Sequence, residues 1–152
     1  MDQTAALFLF LQPMGRLMAI DYGKKRTGIA VTDPMKIIAS GLCTVATKEL
    51  GHWLVNYLLK EDVETIVVGE PKQMDYTDSE LGGEITAFAK ALQTQYPNIK
   101  VERVDERFTS KMAFQTMIDS GLNKRQRRNK ALVDEIAATI ILQSYMDRKN
   151  YL

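Results

Sequence analysis

The chain contains 152 residues, the length of one ordinary domain. Its 20 basic and 19 acidic residues leave a net charge of +1, which excludes a uniformly basic protein and confines any nucleic-acid contact to a local patch. The single cysteine excludes a disulfide framework and fits a reduced, cytoplasmic setting. No apolar run reaches the ~18 residues of a membrane span, so we expect no membrane association.

Residues 1–15 are predicted to be an extension outside the core. They include the apolar stretch 5–11, but no basic residue precedes it, so the segment does not fit a secretory signal. Met14 has the form of a natural start directly before the first strand. We therefore predict one domain over residues 16–152.

The first half of the chain predicts an antiparallel meander, a helix and a buried strand. Residues 17–21 and 27–32 are typical of two short strands, and 37–45 of a third. From Leu50 the apolar residues recur at the spacing of one helix face. The apolar run 65–69 is typical of a strand buried on both faces.

The second half alternates helices and strands. Its predicted elements are a helix over 85–96, a strand over 99–104, a helix over 109–118 and a long terminal helix over 133–145. Strands joined by single helices imply right-handed crossovers and parallel pairing. The predicted fold class is therefore α/β, with a mixed five-stranded sheet flanked by helices.

Acidic residues lie where this topology would bring them together. Asp21 closes the first strand, Asp105 and Glu106 follow the fifth, and Asp134 begins the last helix. The two alanines after Asp134 would let that helix approach the sheet closely. Convergent carboxylates without clustered His or Cys select Mg²⁺ or Mn²⁺. The alternative for Asp134 is a residue that only favours the helix dipole.

Eight of the 20 basic residues are concentrated in two segments near these acids. They are Lys24, Lys25 and Arg26 in the first hairpin, and Lys124, Arg125, Arg127, Arg128 and Lys130 before the last helix. This placement favours binding to a phosphate backbone, although such a run can also be a solvated loop. We expect the second segment to be mobile when free, because its cations repel and no apolar period would dock it as a helix.

Several motifs stand in order between residues 16 and 145. They read MAIDYGKKRTGIAV at 18–31, VVGEP at 67–71, DERFTS at 105–110, and KALVDEIAA at 130–138 followed by ILQSY at 141–145. Together they resemble the YqgF/RuvX family of pre-16S ribosomal RNA nucleases, also described as Holliday junction resolvase homologues. The resemblance implies a ribonuclease H-like fold and a cytoplasmic nuclease that matures small-subunit ribosomal RNA.

The resemblance also assigns site residues. It places the family's acids on Asp21, on Asp105 and Glu106, and on Asp134. Glu70 stands where the family usually carries an apolar residue, and is either a further metal ligand or a solvated loop acid. Arg107 either binds phosphate or pairs with Asp105.

The leading functional hypothesis is a phosphodiesterase that uses two divalent ions. One alternative substrate is branched DNA, as for a Holliday junction resolvase. A second alternative is a non-catalytic nucleic-acid-binding module. A third is an ATPase-like nucleotide-binding domain, because sugar kinases and actin share the Asp-x-Gly hairpin, but those proteins bind ATP between two such domains.

Overall fold

A computed structural model describes residues 15–70, 78–105, 121 and 123–149, with the backbone alone at positions 70, 78, 79, 105 and 127. The strands are β1 (Arg16–Tyr22), β2 (Arg26–Thr32), β3 (Ala39–Ala46), β4 (Val63–Glu70) and β5 (Lys100–Asp105). The described helices are α1 (Leu50–Lys60, after a 3₁₀ turn at Thr47–Glu49), α2 (Asp78–Gln95), α3 (Lys124–Arg127) and α4 (Lys130–Lys149).

The strands form one five-stranded sheet in the order β3-β2-β1-β4-β5. The first three are antiparallel, while β4 runs parallel to β1 and β5 parallel to β4. This confirms the predicted mixed sheet. The carboxyl ends of β1, β4 and β5 meet at one edge, but β4 separates β1 from β5 by two strand spacings, roughly 10 Å.

The sheet is covered on both faces. Met18 and Ile20 of β1 lie in a core shared with α1 and α2, whereas Leu17 and Ala19 lie in a core shared with α4. The alternation follows from the two-residue period of a strand. In β4, Val67 lies in the α4 core and its two neighbours lie in the other, as the continuous apolar run predicted.

Within the described residues, one face of the sheet packs against α4 alone. The buried side chains of α4 are Ala137, Ala138, Ile141, Leu142, Tyr145 and Met146. The helix predicted over 133–145 is confirmed and extends beyond both predicted ends, and its apolar residues Val133, Ile136 and Ile140 are half-buried. The two alanines face the sheet, so the helix turns its smallest residues toward β2 and β3.

Strand β3 begins at Ala39, two residues later than predicted. The Asp33 carboxylate accepts hydrogen bonds from the backbone N–H groups of Ile38 and Ile37, both at 2.8 Å, and of Met35 at 3.0 Å. These bonds, that of Ile38 above all, lower the pKa of the Asp33 carboxyl. The N–H groups of both isoleucines therefore bind the Asp33 side chain and do not form hydrogen bonds of the β-sheet.

Two predicted segments, the helix over 109–118 and the extension before residue 15, lie outside the described residues. Gly121 has φ 78°, in the left-handed region that glycine favours. None of the described helices is long and apolar enough to cross a membrane.

Candidate nucleic-acid and metal site

The hairpin between β1 and β2 is fixed by Thr47. The Thr47 hydroxyl donates to the Gly23 carbonyl at 2.6 Å, and its backbone N–H donates to the Lys25 carbonyl at 3.0 Å. The Arg26 carbonyl occupies the space that a Cβ on Gly23 would need. The loop that joins β1 to β2 is therefore braced, and Asp21 and Arg26 lie at the strand ends beside it.

Gly28 of β2 lies against both the first strand and the last helix. It is the register partner of Asp21, and a Cβ added to it would overlap the Asp134 carbonyl and lie 3.1 Å from the Asp134 Cβ. Residues directly opposite each other in an antiparallel pair share a face of the sheet. Asp21 is thus on the α4 face, and Asp21 and Asp134 flank the same glycine.

Arg26 binds Asp134 directly. Its Nε lies 2.9 Å from Asp134 Oδ2, and the two side chains are 41% and 22% exposed. Arg26 stands two residues before Gly28 on β2, so it shares the face on which α4 packs. The sequence predicted a phosphate contact for this arginine, whereas the structure places its guanidinium on a proposed metal ligand.

The other predicted acids follow the neighbouring strands. Glu70 and Asp105 are register partners at the ends of β4 and β5, at the edge where Asp21 lies near the end of β1. Their side chains, and all of Glu106 and Arg107, lie outside the described residues. Their part in the site stays a prediction.

The chemistry of the described donors suits a hard divalent cation. Asp21 and Asp134 contribute carboxylates, the ligands that Mg²⁺ and Mn²⁺ prefer. His52 is exposed on α1, and burial raises the pKa of the Cys43 thiol to about 11, so neither offers a soft-metal site. Among the described side chains no group of three or more His, Cys, Asp or Glu is arranged to hold a metal ion, so further ligands would have to come from residues beyond them.

The basic segment before α4 contains one helical turn, although it lacks the apolar period that would dock a helix. Asn123 and Gln126 form a reciprocal capping box, with both bonds at 2.9 Å, and start the single turn α3. The described cations of the segment are all exposed, and no ion pair within the described residues uses them: Lys124, Arg125, Arg128 and Lys130. They are therefore available to an anionic ligand.

Sequence reasoning missed the parts played by Gly28 and Arg26. A glycine within a strand often marks the close approach of another backbone, so Thr27-Gly28-Ile29 carried a usable signal. No local pattern indicates that Arg26 reaches Asp134, because the two residues are 108 positions apart.

The sequence matches a known protein family and several of its members. The family model described as "RuvX: Holliday junction resolvase" matches residues 15–148. The chain belongs to the RuvX family. A protein of Flavobacterium psychrophilum named "Putative pre-16S rRNA nuclease" is 59% identical over 136 residues, 90% of this chain and 99% of that protein. One of Phocaeicola vulgatus with the same name is 57% identical over 139 residues, 91% of this chain and all of that protein.

A solved structure extends the comparison to the fold. Thermus thermophilus RuvC, solved with a Holliday junction substrate, superposes with a TM-score of 0.54 and 18% identity, covering 90% of this chain and 97% of RuvC. At this identity the likeness concerns the fold alone. The chain thus has the ribonuclease H-like fold that the family resemblance implied.

Proposed function

We propose that this chain is a divalent-metal-dependent nuclease that hydrolyses phosphodiester bonds in the 5′ maturation of pre-16S ribosomal RNA, in the cytoplasm. The observation that carries the proposal is the packing of Asp134 against Gly28, directly beside Asp21 at the ligand-binding edge of the sheet. The names of the close relatives support the substrate class.

The acids would hold Mg²⁺ or Mn²⁺, with Asp21 and Asp134 as two ligands. We propose that Asp105 or Glu106, and with them Glu70, complete the set for a pair of ions. When bound, such ions activate the attacking water and stabilise the leaving oxygen. The chain itself contributes the rigid placement of its carboxylates: the Thr47-braced hairpin fixes Asp21, and the contact with Gly28 fixes Asp134.

The exposed cations would bind the substrate backbone. Lys24 and Lys25 extend from the hairpin that carries Asp21, and Lys130 lies one helical turn before Asp134 on α4. Basic groups therefore flank both described acids. Because contacts to phosphates carry no base information, we expect weak sequence preference. Arg107 would belong to the same surface.

Branched DNA is the second candidate substrate, because the family model carries the description of a Holliday junction resolvase. The two substrates are separated by one experiment. The purified protein is incubated with precursor ribosomal RNA, a matched RNA duplex and a four-way DNA junction, each with Mg²⁺, Mn²⁺ or EDTA.

We expect cleavage of the precursor with either metal and none with EDTA. Preferred cleavage of the junction would replace the RNA assignment by the resolvase. Binding of all substrates without cleavage under any condition would favour a non-catalytic module, and stimulated hydrolysis of ATP would favour the ATPase-like alternative.

The basic segment leads to a prediction about binding. Converting Arg125, Arg127 and Arg128 to Ala should weaken binding to all sequences similarly and reduce the slope of log K against log salt. Each lost phosphate contact changes that slope by about 0.7 for single strands or 0.9 for duplex, so three contacts change it by about 2 to 3. Fluorescence anisotropy over a salt series measures both quantities.

A matched variant removes the same charge elsewhere. Lys48, Lys60 and Lys90 are exposed cations, the first just before α1 and the others on α1 and α2, which cover the opposite face of the sheet. Their triple Ala variant should keep the affinity and slope of the parent. Both variants should melt within a few degrees of the parent, because surface substitutions change stability by about 0.5 kcal/mol. Equal slopes in the two variants would mean that the basic segment does not bind the substrate backbone.

A further inference from the structure

The proposed metal site contains a cation of the protein's own, the guanidinium of Arg26. Arg26 Nε donates to Asp134 Oδ2 at 2.9 Å, and the Asp134 side chain is 22% exposed. Hydrogen bonds between ionised groups are about twice as strong as neutral ones, and they are less screened where water is partly excluded. Asp134 is therefore not a bare carboxylate before metal binds.

Of the three cations in the hairpin, Arg26 is the one that forms an ion pair with a residue of α4. Lys24 reaches outward to Glu80 at 3.7 Å, with both side chains more than two thirds exposed at 69% and 81%. Lys25 is exposed and enters no ion pair among the described residues. Arg26 instead begins β2 on the α4 face, two residues before the glycine that contacts Asp134.

The positive charge of Arg26 also lies close to a second acid. Asp21 is the register partner of Gly28, and the Asp134 Cβ lies beside the same glycine, so both acids belong to one region of the α4 face. Like charges at short range destabilise the folded chain unless a cation lies beside them. Arg26 supplies that positive charge.

We propose that Arg26 is the resident counter-ion of Asp134 in the metal-free protein and that a divalent cation binds in competition with it. The inference rests on the proposed metal-dependent function and adds a residue that sets the metal affinity of the site. A divalent ion and a guanidinium that share one carboxylate lie a few ångströms apart and repel each other. At the dielectric constant of water and low salt, that repulsion at about 5 Å corresponds to roughly a tenfold loss of affinity.

The test measures Mn²⁺ binding by calorimetry without nucleic acid. Arg26→Gln keeps a hydrogen-bond donor but removes the charge, and should bind Mn²⁺ about tenfold more tightly than the parent. Arg26→Lys keeps the charge and should bind as the parent does. Lys25→Gln removes the neighbouring exposed charge and should change the affinity less than about threefold. Unchanged or weaker Mn²⁺ binding by Arg26→Gln would overturn the proposal.

A second measurement separates this inference from the proposed function. In EDTA, Arg26→Gln should lower the melting temperature, and Asp134→Asn should remove most of that difference in the double variant, because the two residues act as a pair. Additive effects of the two substitutions would contradict the pairing. If no variant binds Mn²⁺ but the coupling is present, the metal-dependent function fails while the counter-ion role of Arg26 stands.

Discussion

Asp21→Asn should abolish cleavage without unfolding the protein. The substitution keeps the shape of the side chain but removes one of the charged ligands that flank Gly28. Metal ions contribute several kcal/mol to the stabilisation of a transition state. Since about 1.4 kcal/mol corresponds to a factor of ten, the rate should fall by more than about a hundredfold. A cleavage time course and Mn²⁺ calorimetry measure the loss.

The melting temperature of this variant in EDTA should equal or exceed that of the parent, because the amide relieves repulsion with Asp134. Asp62→Asn is the matched control. It makes the same change in an exposed residue directly before β4, at the opposite edge of the sheet, and should leave cleavage intact. A well-folded Asp21→Asn protein that still cleaves at the parent rate would refute the assignment of Asp21.

Gly28→Ala should destabilise the protein and reduce cleavage. The added Cβ would overlap the Asp134 carbonyl, so α4 would have to move away from β2. Overpacking of this kind costs about 1–3 kcal/mol. For a chain of this length each kcal/mol lowers the melting temperature by about 2–4 °C, so we expect a loss of several degrees. Because Asp134 moves with the helix, cleavage should fall as well.

Gly83→Ala tests whether that loss comes from the contact. Gly83 lies within α2, and a Cβ there would have no heavy atom within 4 Å. Alanine favours a helix over glycine by about 1 kcal/mol, so this variant should melt at or above the temperature of the parent. Thermal melts followed by circular dichroism compare the two. Equal stability of Gly28→Ala and the parent would mean that α4 does not pack against β2 as described.

Much of the architecture could be predicted because it depends on local periodicity. The short apolar run from Leu17 and the continuous apolar run of β4 indicated strands before any contact was known. Single helices between strands then fixed the parallel pairing. The pair Ala137-Ala138 predicted the close approach of the last helix, and both residues are buried against the sheet.

The remaining features depend on contacts between distant residues or on side chains that bind the backbone. The start of β3 was misplaced because Asp33 uses the N–H groups of Ile37 and Ile38. The turn at α3 was missed because its capping box, Asn123 with Gln126, contains no apolar residue. For the site, the acids could be named from strand ends, but the Arg26–Asp134 pair could not, because charge alone does not say which cation faces inward.

The 108-residue separation between Arg26 and Asp134 has a consequence for the order in which the molecule is made. Domains are synthesised from the amino terminus, and contacts of high sequence separation form late because the intervening chain must first be ordered. The hairpin with Asp21 leaves the ribosome long before α4 exists. On the proposed function, a nascent or truncated chain therefore lacks an assembled site and cannot cut the ribosomal RNA beside which it is being translated.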